Sequence, residues 1–224
     1  MTSIIKHLLP STLLVLSCTI FTAAQQPAKP DAGSDSAKKA NARPAEAVVS
    51  KPDPFDGAPV EKMALQCVTL ETEAGAIEIE MLPDAAPENA RSFLNLAATG
   101  SLDTTNFGRI VKGFVIQGGN LSTSEKWGLE LSKRMQRKLP DEPGLIKHER
   151  GIVSMARPDE PNSATTSFFI LVGDGHHLDG KFSAFGRVIK GIEVADTINR
   201  ADADSEKPNK PVRITRAVVA PCKR

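Results

Sequence analysis

Apolar and charged residues alternate through Ala76-Ile77-Glu78-Ile79-Glu80-Met81, the pattern of a strand with one buried and one wet face. The run over 64–72 has the same β character, and Glu73-Ala74-Gly75 between the two makes a hairpin loop in which Gly75 supplies a positive φ. Further β runs cover 107–117, 151–156, 167–172, 184–189 and 212–220. Two stretches change to a helical period. Pro87 opens the first, Ala90, Phe93, Leu94 and Ala97 share a face, and Gly100 stops it; the second covers Ile192–Asn199 with Ile192, Ala195 and Ile198 turned inward. The excursion over 121–150 is long and charged. A helix beginning near Trp127 places Lys133, Arg134, Arg137 and Lys138 on a solvated face, or, in the sharper reading, on a docking surface for client chains. Many strands, few helices and no internal repeat argue for a closed β barrel or sandwich lidded by helices rather than a parallel α/β sheet.

The N-terminal part is patterned differently. Lys6, an apolar stretch over 8–21 and Thr22-Ala23-Ala24 before Gln25 have the order of a secretory signal peptide at 1–24. The stretch is interrupted by Pro10, Ser11, Thr12 and Ser17, and it is short of the ~20 apolar residues of a membrane-spanning helix. Val15-Leu16-Ser17-Cys18 loosely resembles a bacterial lipobox, so a lipid anchor at Cys18 is the alternative. The segment 25–59 is rich in Ala, Pro and Lys and poor in large apolar residues; it is expected to be a disordered linker. A single folded domain is then expected over 60–224.

Composition narrows the partners. The chain of 224 residues carries 28 Lys and Arg against 27 Asp and Glu, a net charge of +1, and only 4% aromatic residues, which disfavours nucleic-acid binding. Export leaves Cys67 and Cys222 as an even pair in a disulfide-permissive compartment; a bridge between them is one hypothesis and two reduced thiols the other. Asp174, His176, His177 and Asp179 resemble a metal cluster only in composition, because adjacent histidines in an extended loop diverge, and no metal is expected. Gly118-Gly119 is not followed by the Lys-Ser/Thr pair of a nucleotide-binding loop.

Phe107-Gly108-Arg109-Ile110-Val111-Lys112-Gly113-Phe114-Val115-Ile116-Gln117-Gly118-Gly119-Asn120 resembles the signature segment of the cyclophilins, peptidyl-prolyl isomerases built on an eight-stranded barrel. Gly151-Ile152-Val153-Ser154-Met155-Ala156, then 162–170, Leu178-Asp179-Gly180-Lys181 and Phe185-Gly186-Arg187-Val188 follow in that family's order and spacing, and the likeness extends from about Leu65 to Ala220. The Ser163-Ala164-Thr165 version of the third block is similar to the bacterial branch. The resemblance implies a mainly β, closed eight-stranded antiparallel barrel with two capping helices. It also implies a peptidyl-prolyl cis-trans isomerase acting without metal or cofactor on proline-containing segments of exported client proteins, in the periplasm or outside the cell. The membrane-anchored alternative faces the periplasm, and a monomer is expected.

By that resemblance Arg109 is the catalytic arginine, and Gln117 binds substrate backbone and helps hold it. Phe114, Val115, Phe169 and Leu178 form the proline pocket, while Ala156 and Arg157 lie where the peptide crosses a strand end; Phe168, by strand alternation, belongs to the core. Gly108, Ser167, His177 and Phe182 depart from the family, replacing a His, a Gln, an aromatic residue that is often Trp, and another His. These changes thin the polar half of the site while sparing the arginine and the apolar cup. The competing reading is a cyclophilin-like module or chaperone that grips proline segments with little turnover.

Overall fold

The computed structural model describes residues 52–223. The expected signal segment, Cys18 and the linker up to residue 51 lie outside them. Strands β1 (Gln66–Thr72) and β2 (Gly75–Met81) pair antiparallel around the loop the sequence predicts, with Gly75 at φ 131°. Ile77, Ile79 and Met81 are buried while Glu78 and Glu80 are partly exposed, so β2 alternates as its sequence does.

The run over 107–117 is a second hairpin: β3 (Arg109–Val111) and β4 (Val115–Gly118) turn back on each other at Gly113, which holds φ 69°. Apolar residues flank that glycine on both sides, so periodicity merges the two strands into one. The remaining strands of the sheet are β5 (Ile152–Met155), β6 (Phe168–Leu171), β7 (Ala184–Lys190) and β10 (Ile214–Pro221). A separate small hairpin, absent from the sequence expectations, joins β8 (Ala203–Asp204) to β9 (Lys207–Pro208).

The large sheet has the order β10-β1-β2-β7-β5-β6-β4-β3, every adjacent pair antiparallel, and is a strongly curled half-barrel. The expected closure is incomplete: β3 and β10 are the two ends of the ladder. Among the described residues, the segment before β3 meets the start of β10 and the residues before it through an isolated bridge between Asn106 and Arg213 and hydrogen bonds such as Phe107 N–H to the Val212 carbonyl (3.0 Å) and Thr104 N–H to the Ile214 carbonyl (2.8 Å). The third strand is short and its continuation toward Thr104 irregular, so a continuous ladder has no run of backbone to form on.

Helix α2 (Pro87–Ala98) packs on β7 and β10 through the predicted face, with Ala90, Phe93 and Leu94 fully buried and Phe93 edge-on to Phe168 at 5.1 Å. The carboxylate of Glu142 accepts from the Glu88 and Asn89 backbone N–H groups, a tertiary substitute for a local N-cap. Helix α4 (Ile192–Asn199) buries Ala195 and Ile198. Two shorter helices, α1 (Val60–Ala64) and α3 (Leu129–Gln136), complete the fold, the latter starting two residues after Trp127.

The folded domain begins before the expected Val60. Phe55 is buried, its N–H donates to Asn95 Oδ1 at 2.8 Å, and Asp53 forms a two-pronged ion pair with Arg134 at 2.7 Å. A single large aromatic residue in an otherwise linker-like stretch is what carries the chain onto α2. At the other end, β1 and β10 are neighbours and Cys67 is joined to Cys222 by a disulfide, with the Cα atoms 4.9 Å apart.

Candidate active site

Strand register puts one row of side chains on the outer face of the sheet. Arg109 lies opposite Gln117 across β3 and β4, Gln117 opposite Phe169 across β4 and β6, and Phe169 opposite Ser154 across β6 and β5. Side chains of directly opposed residues share a face. Phe168, one residue away, points into the main core and is fully buried against Phe93 and Phe107. Phe169 instead joins a second apolar cluster with Val115, Ile152, Ala156, Leu171 and Ala184.

That cluster floors a pocket of about 200 Å³ lined by Arg109, Phe114, Val115, Gln117, Ala156, Arg157, Phe169, Leu178 and Phe182. The volume is below the ~300 to 1,000 Å³ usual for drug-sized ligands and suits one small apolar ring with the backbone beside it. Phe182 stands edge-on to Phe169 at 6.0 Å and forms one wall. His177 is the one residue of the expected set outside the lining; its ring packs on the Phe114 ring at 5.2 Å and buttresses it. Gly119, at the end of β4, turns at φ 82°, and a Cβ there would stand 2.4 Å from the Thr166 carbonyl oxygen, so only glycine lets the two strand ends approach.

Arg109 is half-exposed. Its Nε donates to Glu206 Oε2 at 2.7 Å and its Nη1 to Gln117 Oε1 at 3.1 Å, which leaves Nη2 without a partner among the described residues. Gln117 accepts through its amide oxygen, and the amide N–H groups remain available to a peptide carbonyl. Arg157 behaves otherwise. Its side chain is 12% exposed, paired with Asp141 at 3.1 Å, bonded to the Pro158 and Lys181 carbonyls, and stacked 4.9 Å over Phe182. Its Nη1 and Nη2 donors are spent on bracing the wall and its charge is paired with Asp141, so it offers the pocket a surface rather than a free cation.

Three groups behind the pocket escape the sequence reading. His148 is buried and stacked against Phe169 at 6.5 Å, with Nδ1 3.2 Å from Asp179 Oδ1 and Nε2 3.2 Å from Ser154 Oγ. Burial holds the imidazole below its ordinary pKa, with Asp179 pulling the other way; the Asp179 carboxyl is pushed down to about 2, chiefly by the His148 backbone N–H that it accepts. The Ser-His-Asp composition invites a hydrolytic reading, but Ser154 is fully buried and has no access to a substrate carbonyl. The network ties β5 to the turn carrying Leu178.

The second missed group is Asn199, at the C-terminus of α4. It accepts from Gly113 N–H at 2.8 Å and donates to the Val111 and Val115 carbonyls at 2.8 and 2.9 Å, clamping the turn that presents Phe114. A polar residue seven positions after Ile192, on the inward face of an amphipathic helix, was its signal. The third is Glu206, whose charged segment shows no pattern distinguishing it from a loop.

The arrangement is a cation held at two nitrogens beside an apolar hollow, with a neutral amide donor between them. Its lining residues include no exposed nucleophile, and what it offers chemically is a restrained cationic donor beside an apolar surface.

Residues 67–219 match the family described as cyclophilin type peptidyl-prolyl cis-trans isomerase/CLD. The chain is 36% identical over 155 residues to peptidyl-prolyl cis-trans isomerase CYP18-1 of Arabidopsis thaliana, spanning 68% of this chain and 94% of that one. It is 35% identical over 162 residues to peptidyl-prolyl cis-trans isomerase A of Dickeya dadantii, spanning 68% and 83%. Among solved structures, a cyclophilin-type isomerase of Cryptosporidium parvum, determined in the presence of the dipeptide Ala-Pro, aligns with a TM-score of 0.61 at 32% identity over 69% of this chain and 98% of that one. A cyclophilin of Hirschia baltica aligns with a TM-score of 0.60 at 22% identity over 70% and 74%, a likeness of fold.

Proposed function

The chain belongs to the cyclophilin-type peptidyl-prolyl cis-trans isomerases and is an isomerase of that type, and from that premise we propose that it accelerates X-Pro isomerisation in exported proteins by arginine stabilisation of the twisted amide. The observation that carries the mechanism is Arg109, held by Gln117 at 3.1 Å beside the cup of Phe114, Val115, Phe169 and Leu178. The barrier to rotation about the peptide bond, ~18 to 20 kcal/mol, comes from amide resonance. Twisting the bond returns a lone pair to the prolyl nitrogen. A fixed guanidinium donor then interacts with the twisted state more strongly than with either planar one, while the cup holds the pyrrolidine ring and the preceding carbonyl turns. About 7 kcal/mol of such differential stabilisation corresponds to a roughly 10⁵-fold acceleration. No covalent intermediate is involved.

The substrate class follows from the pocket's size and apolar floor, and from the Ala-Pro dipeptide used with the Cryptosporidium relative. Export is supported by the leader pattern over 1–24 and by the Cys67–Cys222 disulfide, since such bridges persist in oxidising compartments. Cys18 offers the lipid-anchored variant of the same location. Mass spectrometry of the mature N-terminus separates the two: Gln25 as the first residue means cleavage, a lipidated Cys18 means anchoring.

Gly108 and Ser167 favour one other reading, a proline-segment binder with little turnover, because both contribute less polar surface than the family's His and Gln. A protease-coupled assay on an X-Pro peptide decides. Wild type is expected to exceed the uncatalysed rate, and Arg109→Ala to lower kcat/KM by about 10²- to 10³-fold with Tm nearly unchanged. Bound peptide with no acceleration by the wild type supports the binder.

A further inference from the structure

Arg109 has little of its own to keep it in place. It begins a three-residue strand at one end of the sheet, and its side chain is 45% exposed, so fixing it costs rotamer entropy. Two groups do the fixing. Gln117 stands across the hairpin; Glu206 comes from 97 residues further along the chain.

Glu206 sits in the turn between β8 and β9, where the preceding Ser205 adopts φ 55°, an uncommon conformation for a side-chain-bearing residue. Its backbone carbonyl accepts from Ile110 N–H at 2.8 Å, and its carboxylate accepts from Arg109 Nε at 2.7 Å. One residue therefore docks on two successive residues of β3, by its main chain on the second and its side chain on the first. The main-chain bond delivers the carboxylate to the arginine, and the small hairpin acts as its carrier.

We propose that Glu206 is a positioning residue for Arg109: it fixes the guanidinium plane through Nε so that the unpartnered Nη2 is presented to the bound peptide. The inference rests on the reading of Arg109 as the group that stabilises the twisted amide. Two effects of the carboxylate oppose each other. It offsets part of the positive charge, and it removes the disorder of the donor. Both side chains are about half exposed, so solvent screens the first effect, whereas the directional bond to Nε is retained. Orientation wins.

The test is steady-state kinetics on an X-Pro peptide with Glu206→Ala, Glu206→Gln, Arg109→Ala and the Arg109→Ala/Glu206→Ala double variant. Glu206→Ala keeps the backbone carbonyl that docks the hairpin, so Tm is expected to stay within about 2 °C of wild type. Its kcat is expected to fall roughly tenfold with KM within twofold. Glu206→Gln, whose amide oxygen still accepts from Nε, is expected to recover most of that loss, and the double variant to be no slower than Arg109→Ala. Turnover by Glu206→Ala equal to or above wild type, or additive losses in the double variant, overturns the inference while leaving the arginine mechanism intact. Full turnover by Arg109→Ala overturns both.

Discussion

In the proposed mechanism the Arg109 guanidinium acts because its neighbours restrict it. Gln117 takes Nη1 and Glu206 takes Nε, which leaves Nη2 of this half-exposed arginine without a partner among the described residues. Arg157 shows the contrast: a second arginine on the same lining, but tied to Asp141 and to four loop carbonyls. His177 illustrates what a substitution does at this scale. Its small ring packs on Phe114, where the family often has Trp, and so provides less stacking surface and no indole donor. His177→Trp is expected to raise the affinity for the bulky cyclic-peptide inhibitor of cyclophilins by at least roughly tenfold, about 1.4 kcal/mol, as read by calorimetry. An unchanged affinity would mean that Trp is not what the inhibitor lacks here. Residues whose role depends on a local motif, such as Arg109, Phe114 and Phe169, are legible in the sequence because their chemistry is written beside them. His148 and Glu206 are not, because each acts through a partner that only folding brings near, and Asn199 shows only that it is a polar residue on an inward helix face, not what it clamps.

At the scale of elements, the β3–β4 hairpin is where sequence periodicity and structure diverge. Apolar residues on both sides of Gly113 produce one continuous β signal over 107–117, whereas the positive φ of that glycine folds the run back on itself. The hairpin is held from outside by Asn199, which is buried and makes three hydrogen bonds to the backbone of Val111, Gly113 and Val115. Asn199→Ala strands those groups at a cost of about 3 kcal/mol in all. Tm is expected to fall by roughly 6 to 12 °C. KM should rise more than kcat falls, because the loosened turn carries Phe114 rather than the arginine's anchors. Unchanged Tm and KM would show the turn to be self-supporting. The helices were easier to anticipate: the buried face of α2 is the one its 3.6-residue period marks. Residues 53–59 were not, since the apolar signal there reduces to Phe55.

For the whole molecule, the first and last strands of the large sheet, β1 and β10, are neighbours, remote in strand order from the pocket strands, and the Cys67–Cys222 disulfide spans a sequence separation of 155 residues. Closing so long a loop restricts the unfolded chain by up to about 5 kcal/mol in the chain-entropy account. Cys67→Ser/Cys222→Ser is therefore expected to lower Tm by roughly 10 °C, with kcat/KM at 25 °C within twofold of wild type; a large loss of activity in a still-folded variant would tie the bridge to the site. The sheet's curl brings strands distant in sequence into one outer face, which is why four motif blocks converge on one pocket while the closure of the barrel, a matter of backbone geometry near Asn106 and Arg213, left no mark on the residue pattern. The central claim is that Arg109 favours the twisted amide over the planar ones without being needed for binding. Exchange NMR on a saturating X-Pro peptide measures the interconversion rate on the enzyme directly. The account predicts that Arg109→Ala binds the peptide within about threefold of wild type while interconverting it about 10²-fold more slowly; wild-type interconversion in that variant, or a loss confined to affinity, would contradict it.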